Sequence, residues 1–429
     1  MIGRYGTMLI VLFFATVPNL GFFTPISFAL ITFLFIISIF GTGLPSSKVH
    51  SIAETCFVLL FYACIYYGGL YQNSLSTLIG SITLSFIVVL LVLSYFFIKN
   101  KIDLLFIILL FYIALSFWTL IGSPKPLVDT FDVFREVAGK IISGVNPYSA
   151  DFSRTYAGID NHFHYLPFSF VFTTPFMLIF GDPRIAIIFA NIVSVLCLRK
   201  IFMDRFEKKD LNLLLATFLF LPRSFYILEH MYLDPIIFMF FLLFYFSMLK
   251  KKRRFAMMSL GLFFSFKQNL LILFPLFLLN SLVRQYLKKE ILFFLMPFAL
   301  IILFIILNPP SFLMLTFLSM FGAVFYPGAP KSTPTHIALS FQVFIRYVFP
   351  NIKTAYLYVI SILLLTVVYL RVFAQKKYRF IERFALILFA FGYFMHLSFF
   401  NQYYFLALFY FFNFMFEQSS GQKKDQSFI

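Results

Sequence analysis

Residues 75–98 read LSTLIGSITLSFIVVLLVLSYFFI, and residues 102–121 read IDLLFIILLFYIALSFWTLI. The first has no charged side chain and the second only Asp103, near its start; each reaches the ~20 helical residues that cross a hydrocarbon core. Neither alternates polar and apolar positions, so a barrel strand is excluded and a helix that satisfies its own backbone is required. Similar apolar runs recur along all 429 residues, which are 61% hydrophobic and 12% charged, with mean hydropathy +0.93. That composition lies far from soluble domains and predicts an all-α, polytopic membrane protein.

The formal charge of +17 does not imply nucleic acid, because Lys and Arg fall in short clusters between apolar runs. Lys99 and Lys101, the cluster from Arg199 to Lys209, Lys250 to Arg254, Arg284 to Lys289, Arg371 to Arg383, and Lys423 with Lys424 can all be cytoplasmic together. Five crossings are expected near residues 5–20, 24–41, 51–70, 75–98 and 102–121. The first is read as a membrane helix, not a signal peptide, because no small-x-small cleavage site follows Arg4 before Pro18. This topology places the polar stretch from Ser123 to Pro167 on the extracytoplasmic side.

The run Phe168 to Phe180 is about half a spanning length, and if it crossed, the basic cluster at 199–209 would fall outside. An interfacial or re-entrant helix with both ends outside is expected there, followed by a crossing from Ile185 to Ile201. Later apolar runs, Leu211–Leu221, Phe255–Phe266, Asn269–Val283 and Ala385–Phe400, are short, so their outer ends should leave a cavity open to the outside. Polar groups stand at those ends: Arg223, Glu229, His230, Asp234, Lys267, Gln268, Asn308, Asn401 and Gln402. Pro309 to Pro350 is expected to form a further outer loop before a crossing near 354–371. The pattern gives about fourteen crossings in a plasma-membrane protein with both termini cytoplasmic. It divides into N-terminal helices (1–121), an outer loop (122–183), C-terminal helices (184–417) and a tail (418–429).

Phe131, Phe134, Ala138 and Ile141 recur at helical spacing, so residues 130–143 predict an amphipathic helix on the membrane surface. Asp129 stands at its start with Asp132 three residues on. Asp129 is either a plain N-cap favoured by the helix dipole or a general base at the water–lipid boundary, and the two roles are compatible. Gly144 and Pro147 should end the helix, with Tyr148 as an interfacial anchor. His162 and His164, beside Tyr165, are candidates to bind phosphate or orient the base. Lys267 is the first candidate cation for a phosphate leaving group, ahead of Arg184 and Arg223. Cys56, Cys64 and Cys197 lie in apolar runs without ligand spacing, and His162, His164 and Asp160 match no standard metal pattern. No metal site or cofactor is therefore assigned, and a requirement for a divalent ion stays open.

These motifs carry a resemblance. Asp129, then Gly144-Val145-Asn146-Pro147-Tyr148, Tyr165-Leu166-Pro167, Gly181-Asp182-Pro183-Arg184, Leu228-Glu229-His230-Met231-Tyr232-Leu233-Asp234-Pro235, Phe266-Lys267-Gln268 and Asn401-Gln402-Tyr403-Tyr404 occur in an order that resembles the polytopic GT-C glycosyltransferases. Over roughly residues 120–415 the chain is most similar to the family 87 polyprenyl-phosphate-mannose-dependent mannosyltransferases. The resemblance implies inverting transfer of a hexose, mannose foremost, from a polyprenyl-phosphate donor to a lipid or glycan acceptor outside the cell membrane. It implies Asp129 as base with Asp132 as its rival. Donor and acceptor would be held by Lys267, Gln268, His162, His164, Tyr165, Arg184, Arg223, Glu229, His230, Asp234, Asn401 and Gln402. The chain departs from the pattern in placing about five crossings, not one, before this loop. A polyprenyl-linked glycan polymerase or ligase would favour several outer-loop arginines. A transporter or flippase would favour internal repeats, and none is evident.

Overall fold

A computed structural model describes residues 4–40, 52–97, 103–126, 128–153, 163–307, 312–313, 338–375, 378–395 and 399–419. Helices in chain order are α1 (Arg4–Thr16), α2 (Pro25–Phe40), α3 (Ile52–Ile65), α4 (Ser74–Phe97), α5 (Leu105–Gly122), α6 (Asp129–Ile142), α7 (Phe168–Phe180), α8 (Ile185–Phe202), α9 (Lys208–Leu219) and α10 (Ser224–Glu229). There follow α11 (Asp234–Leu249), α12 (Arg253–Phe264), α13 (Phe274–Leu279), α14 (Ser281–Lys289), α15 (Ile291–Leu295), α16 (Ala299–Leu307), α17 (Phe341–Val348), α18 (Thr354–Ala374), α19 (Phe380–Phe394) and α20 (Phe400–Ser419). Among the described residues no strand forms, and an isolated antiparallel bridge joins Phe22 to Ala338. The fold is all-α, as its apolar runs predict.

Four helices are long and apolar enough to cross a membrane: Ser74–Phe97, Leu105–Gly122, Ile185–Phe202 and Ala355–Ala374. A fifth is added if Gln268–Leu279 and Ser281–Lys289 are taken as one broken span. Six further apolar helices among the described residues run 10–17 residues, so helix length and hydropathy together do not supply fourteen crossings. The expected crossing Asn269–Val283 is interrupted: a 3-10 turn at Gln268–Leu273 leads into α13, and Asn280 breaks the chain before α14. The predicted ends of α6, α7 and α8 agree with the structure to within one residue.

α4 shows why these helices suit lipid. Its outward face exposes Leu75, Leu78, Ile82, Phe86, Leu93 and Phe96, while Ser76 and Gly80 lie on the buried side. The buried side joins these two small residues to Leu84, Ile87, Val88 and Leu91, so the helix is apolar on both sides, and its small residues let a neighbouring segment approach closely. Gly80 packs against the Tyr67 ring, where a Cβ would overlap the phenol.

The chain forms two compact units. The first comprises Met1–Leu59, Leu273–Asn280 and Phe321–Ile429, and the second Leu60–Ile272 with Ser281–Met320. In the first unit, the Glu417 carboxylate accepts from the backbone amides of Arg4 (2.8 Å) and Tyr5 (3.1 Å). A residue of the last helix thus satisfies two orphan donors at the start of the first. Phe35 and Tyr393 stack at 4.4 Å between α2 and α19. In the second unit, α11 is apolar on every side and buried nearly throughout, with α8 and α12 packed along it. All candidate site residues described below except Asn401 and Gln402 belong to this second unit.

Candidate functional site

The apolar spacing of α6 buries Phe131, Phe134, Val137 and Ala138, and leaves Arg135, Glu136 and Lys140 partly exposed. The helix begins at Asp129 after an extended Val128 in the cap position, so Asp129 is its first residue and not the N-cap expected from sequence. The Asp129 side chain lies outside the described residues. Asp132 is buried and pairs with Arg135 at 2.8 Å on the same helix. The far end closes as predicted: Gly144 holds φ +72°, and Val145 donates to the Lys140 carbonyl at 2.9 Å. Asn146 caps the following 3-10 turn by accepting from the Tyr148 amide. Tyr148 is not an interfacial anchor. It is buried, packs on Phe163, Phe170, Phe304 and Phe312, and donates its hydroxyl to the Tyr165 carbonyl at 2.7 Å.

One buried cation meets the apolar face of α6 directly and a second reaches it through Tyr165. Arg184, 1% exposed, lies over the Phe131 ring with its guanidinium 4.6 Å from the centroid, and Nη1 donates to the Ser123 carbonyl at 2.7 Å. Its Nε donates to both Asp182 oxygens at 3.0 Å, so Gly181-Asp182-Pro183-Arg184 is a self-paired turn leading into α8. Lys267 donates to Asp234 Oδ1 at 2.9 Å and lies 6.0 Å from the centre of the Tyr165 ring. Tyr165 in turn packs on Phe134 at 5.4 Å. Phe131 and Phe134 are three residues apart on one helical face, so this single face touches both platforms. Gln268 donates to the His164 carbonyl at 3.1 Å, and the Leu166 amide donates to the Phe266 carbonyl at 3.2 Å, fixing the chain before α7 to the chain after α12.

The turn between α9 and α11 buries Ser224, Glu229 and His230, with Asp234 just beyond, and it lies outside the candidate spans. Arg223 (φ +64°) and Met231 (φ +58°) adopt left-handed backbone conformations at the two ends of α10. Such geometry is unusual for side chains other than glycine and clusters at functional sites. Glu229 and His230 are both fully buried. The Glu229 carboxylate accepts from the amides of Leu70 (2.8 Å) and Tyr71 (3.1 Å), while Arg223 donates to the Gly68 carbonyl. These bonds strap the 66–73 loop onto the turn. Asp234 is the first residue of α11, with Leu233 in the cap position.

Burial raises the proton affinity of Glu229, against the effect of its amide donors and the Arg184 charge. Burial also pushes the His230 imidazole down to about 4, with Arg184 and Arg223 adding to the effect, so the ring is neutral near pH 7. His230 Nδ1 lies 2.9 Å from the Tyr226 carbonyl, which can only accept, so Nδ1 carries the proton and Nε2 presents a lone pair. Among the described residues Nε2, Asp234 Oδ2 and Arg223 Nε have no hydrogen-bond partner. Tyr71, Tyr226 and Tyr232 surround the imidazole, with centroids 5.6, 4.3 and 5.8 Å away. Chemically, this turn offers one neutral base and one cation without a carboxylate within ion-pair distance among the described residues.

Gly69 makes the strap possible, since a Cβ there would overlap the Glu229 carboxylate. Gly69→Ala should therefore destabilise the protein by about 1–3 kcal/mol through overpacking. Gly139→Ala, with nothing within 4 Å of the added Cβ, should leave the thermal unfolding midpoint unchanged or slightly higher. Equal midpoints for Gly69→Ala and wild type would show that the strap bears no load.

The second unit thus brings together Arg184, Arg223, Glu229 and His230 in one group, and Tyr165, Asp234, Lys267, Gln268 and the His164 backbone in another, with α6 over Arg184 and Tyr165. His162, Asp160 and Asn308 lie outside the described residues. Asn401 and Gln402 form the first turn of α20 in the other unit. Sequence reading did not reveal that Asp182 and the Ser123 carbonyl hold Arg184, nor the strap at 66–73. The Tyr66-Tyr67-Gly68-Gly69 run marks a turn, but nothing in it reveals that its amides bind a carboxylate 159 residues away. Among the described residues no group of three or more His, Cys, Asp or Glu side chains is placed to hold a metal ion. Compared with family models, curated proteins and solved structures, the chain matches none.

Proposed function

We propose that the protein is an integral-membrane glycosyltransferase that moves a hexose, mannose foremost, from a polyprenyl phosphate to a lipid or glycan acceptor on the extracytoplasmic side. The observation that carries this reading is the helix that Asp129 opens, whose buried face rests on both Arg184 and the Tyr165–Lys267 platform. Transfer from a phosphate carrier needs a carboxylate to take the proton of the incoming hydroxyl and a cation for the charge gathering on the leaving phosphate. In an inverting displacement these act on opposite sides of the sugar. Asp129 is the base in this reading.

Lys267 and Arg184 each hold a carboxylate, and this favours Arg223 for the donor phosphate. Lys267 then keeps Asp234 and Tyr165 in place. His230 Nε2, with its fixed tautomer, is suited to accept a hydrogen bond from an acceptor hydroxyl. Arg223→Gln should raise KM for the donor about tenfold, the effect of losing one charge-assisted hydrogen bond. An unchanged donor KM would move the phosphate site elsewhere.

Proteoliposomes loaded with a labelled polyprenyl-phosphate hexose separate this reading from a flippase. A transferase converts the label into a new chromatographic species when acceptor lipids are supplied. A flippase moves intact donor between leaflets and forms no new species, an outcome that would reject the proposal.

A further inference from the structure

The second unit carries two basic clusters, and only one of them is neutralised. In the 199–210 segment, Arg199 pairs with Asp103, Lys209 lies 3.7 Å from Glu207, and Asp204 and Asp210 add further negative charge. The run Lys250 to Arg254 and the α14 cations Arg284, Lys288 and Lys289 make a group of eight, beside which Glu290 is the one acidic residue between 250 and 290. Arg254 joins the two stretches: its Nε lies 3.4 Å from Glu290 and its guanidinium 5.5 Å from the Phe293 ring. α14 buries Val283 and Tyr286 and turns Arg284, Lys288 and Lys289 outward, and every residue from Lys250 to Arg254 is exposed.

Two further features mark this shelf. Lys251 holds φ +54° in the turn that closes α11, where the Lys252 amide donates to the Ser247 carbonyl at 2.9 Å. Glycine is the unstrained choice at that position, yet a cation stands there. Exposed apolar side chains adjoin the charges: Phe255, Leu292 (78% exposed) and Met296. A dense positive patch against exposed hydrocarbon is satisfied on both sides only at the plane where lipid headgroups meet acyl chains.

We propose that the shelf formed by residues 250–254 and α14 is a docking site for the headgroups of anionic phospholipids. Eight cations against one carboxylate supply the charge complementarity, and the neighbouring apolar residues supply the contact with acyl chains. The neutralised 199–210 cluster has no such role.

Native mass spectrometry of the purified full-length protein, titrated with dioleoylphosphatidylglycerol or dioleoylphosphatidylcholine, tests this. The quadruple variant Lys250→Gln/Lys252→Gln/Lys288→Gln/Lys289→Gln should lose phosphatidylglycerol binding at least about tenfold, on the scale of polybasic segments at anionic membranes. Its phosphatidylcholine binding should match wild type. Lys200→Gln/Lys208→Gln should bind both lipids as wild type does. The quadruple Lys→Arg variant keeps the charge and should keep phosphatidylglycerol binding, which separates lost charge from a damaged fold. Unchanged phosphatidylglycerol binding in the Gln variant, or an equal loss in the Arg variant, would overturn the proposal. So would preferential capture of a single-stranded RNA by this shelf, which would make it a polyanion site of another class.

Discussion

Asp129→Asn should reduce sugar transfer at least about a hundredfold, the scale set by removing a general base, while thermal unfolding stays at the wild-type midpoint. The substitution keeps the shape of the first residue of α6 and removes only the charge. Asp132→Asn is the matched comparison. Asp132 is already engaged by Arg135 at 2.8 Å, so its loss should change transfer only a few-fold, through the helix and not through the chemistry. If Asp132→Asn abolishes transfer and Asp129→Asn does not, the base is misassigned by one helical turn. If neither matters, α6 has no catalytic role.

The second large effect concerns stability. Lys267→Met should cost about 3–5 kcal/mol, because Asp234, whose side chain is 3% exposed, would remain buried as an unpaired charge. Asp234 Oδ2 already lacks a partner among the described residues, which leaves little in the surroundings to replace the ammonium. The double variant Lys267→Met/Asp234→Leu removes both charges and should recover most of the loss, since apolar groups of similar volume often replace a buried ion pair without penalty. Chemical denaturation of the three variants in detergent measures this directly. A single variant as stable as wild type would show that the pair does not hold the platform under Tyr165.

Local chemistry made much of this legible in the sequence. The ends of α6, α7 and α8 were readable because apolar period, glycine at the C-terminal turn and proline at the next segment act within a few residues of one another. The Gly144 and Asn146 turn was readable for the same reason. Tyr148 was misread because an aromatic beside a helix end looks like an interfacial anchor. Its actual partners include Phe304 and Phe312, more than 150 residues away. The Lys267–Asp234 pair joins residues 33 apart, and periodicity carries no information about such pairing. The strap on Glu229 was illegible for a deeper reason: its donors are the backbone amides of Leu70 and Tyr71, and every residue but proline has one. Asn401 and Gln402 open α20 in the other compact unit, and helix length in the sequence carries no information about which unit a helix end joins.

The central claim is group transfer from a phosphate carrier, and its most direct test is stoichiometric. Purified wild-type protein in lipid is incubated with polyprenyl-phosphate hexoses labelled in the sugar, together with acceptor lipids extracted from membranes. The account predicts a new labelled lipid or glycan and, in equal molar amount, free polyprenyl phosphate. Intact donor after prolonged incubation with every hexose tried, or free phosphate carrier with no labelled product, would contradict it.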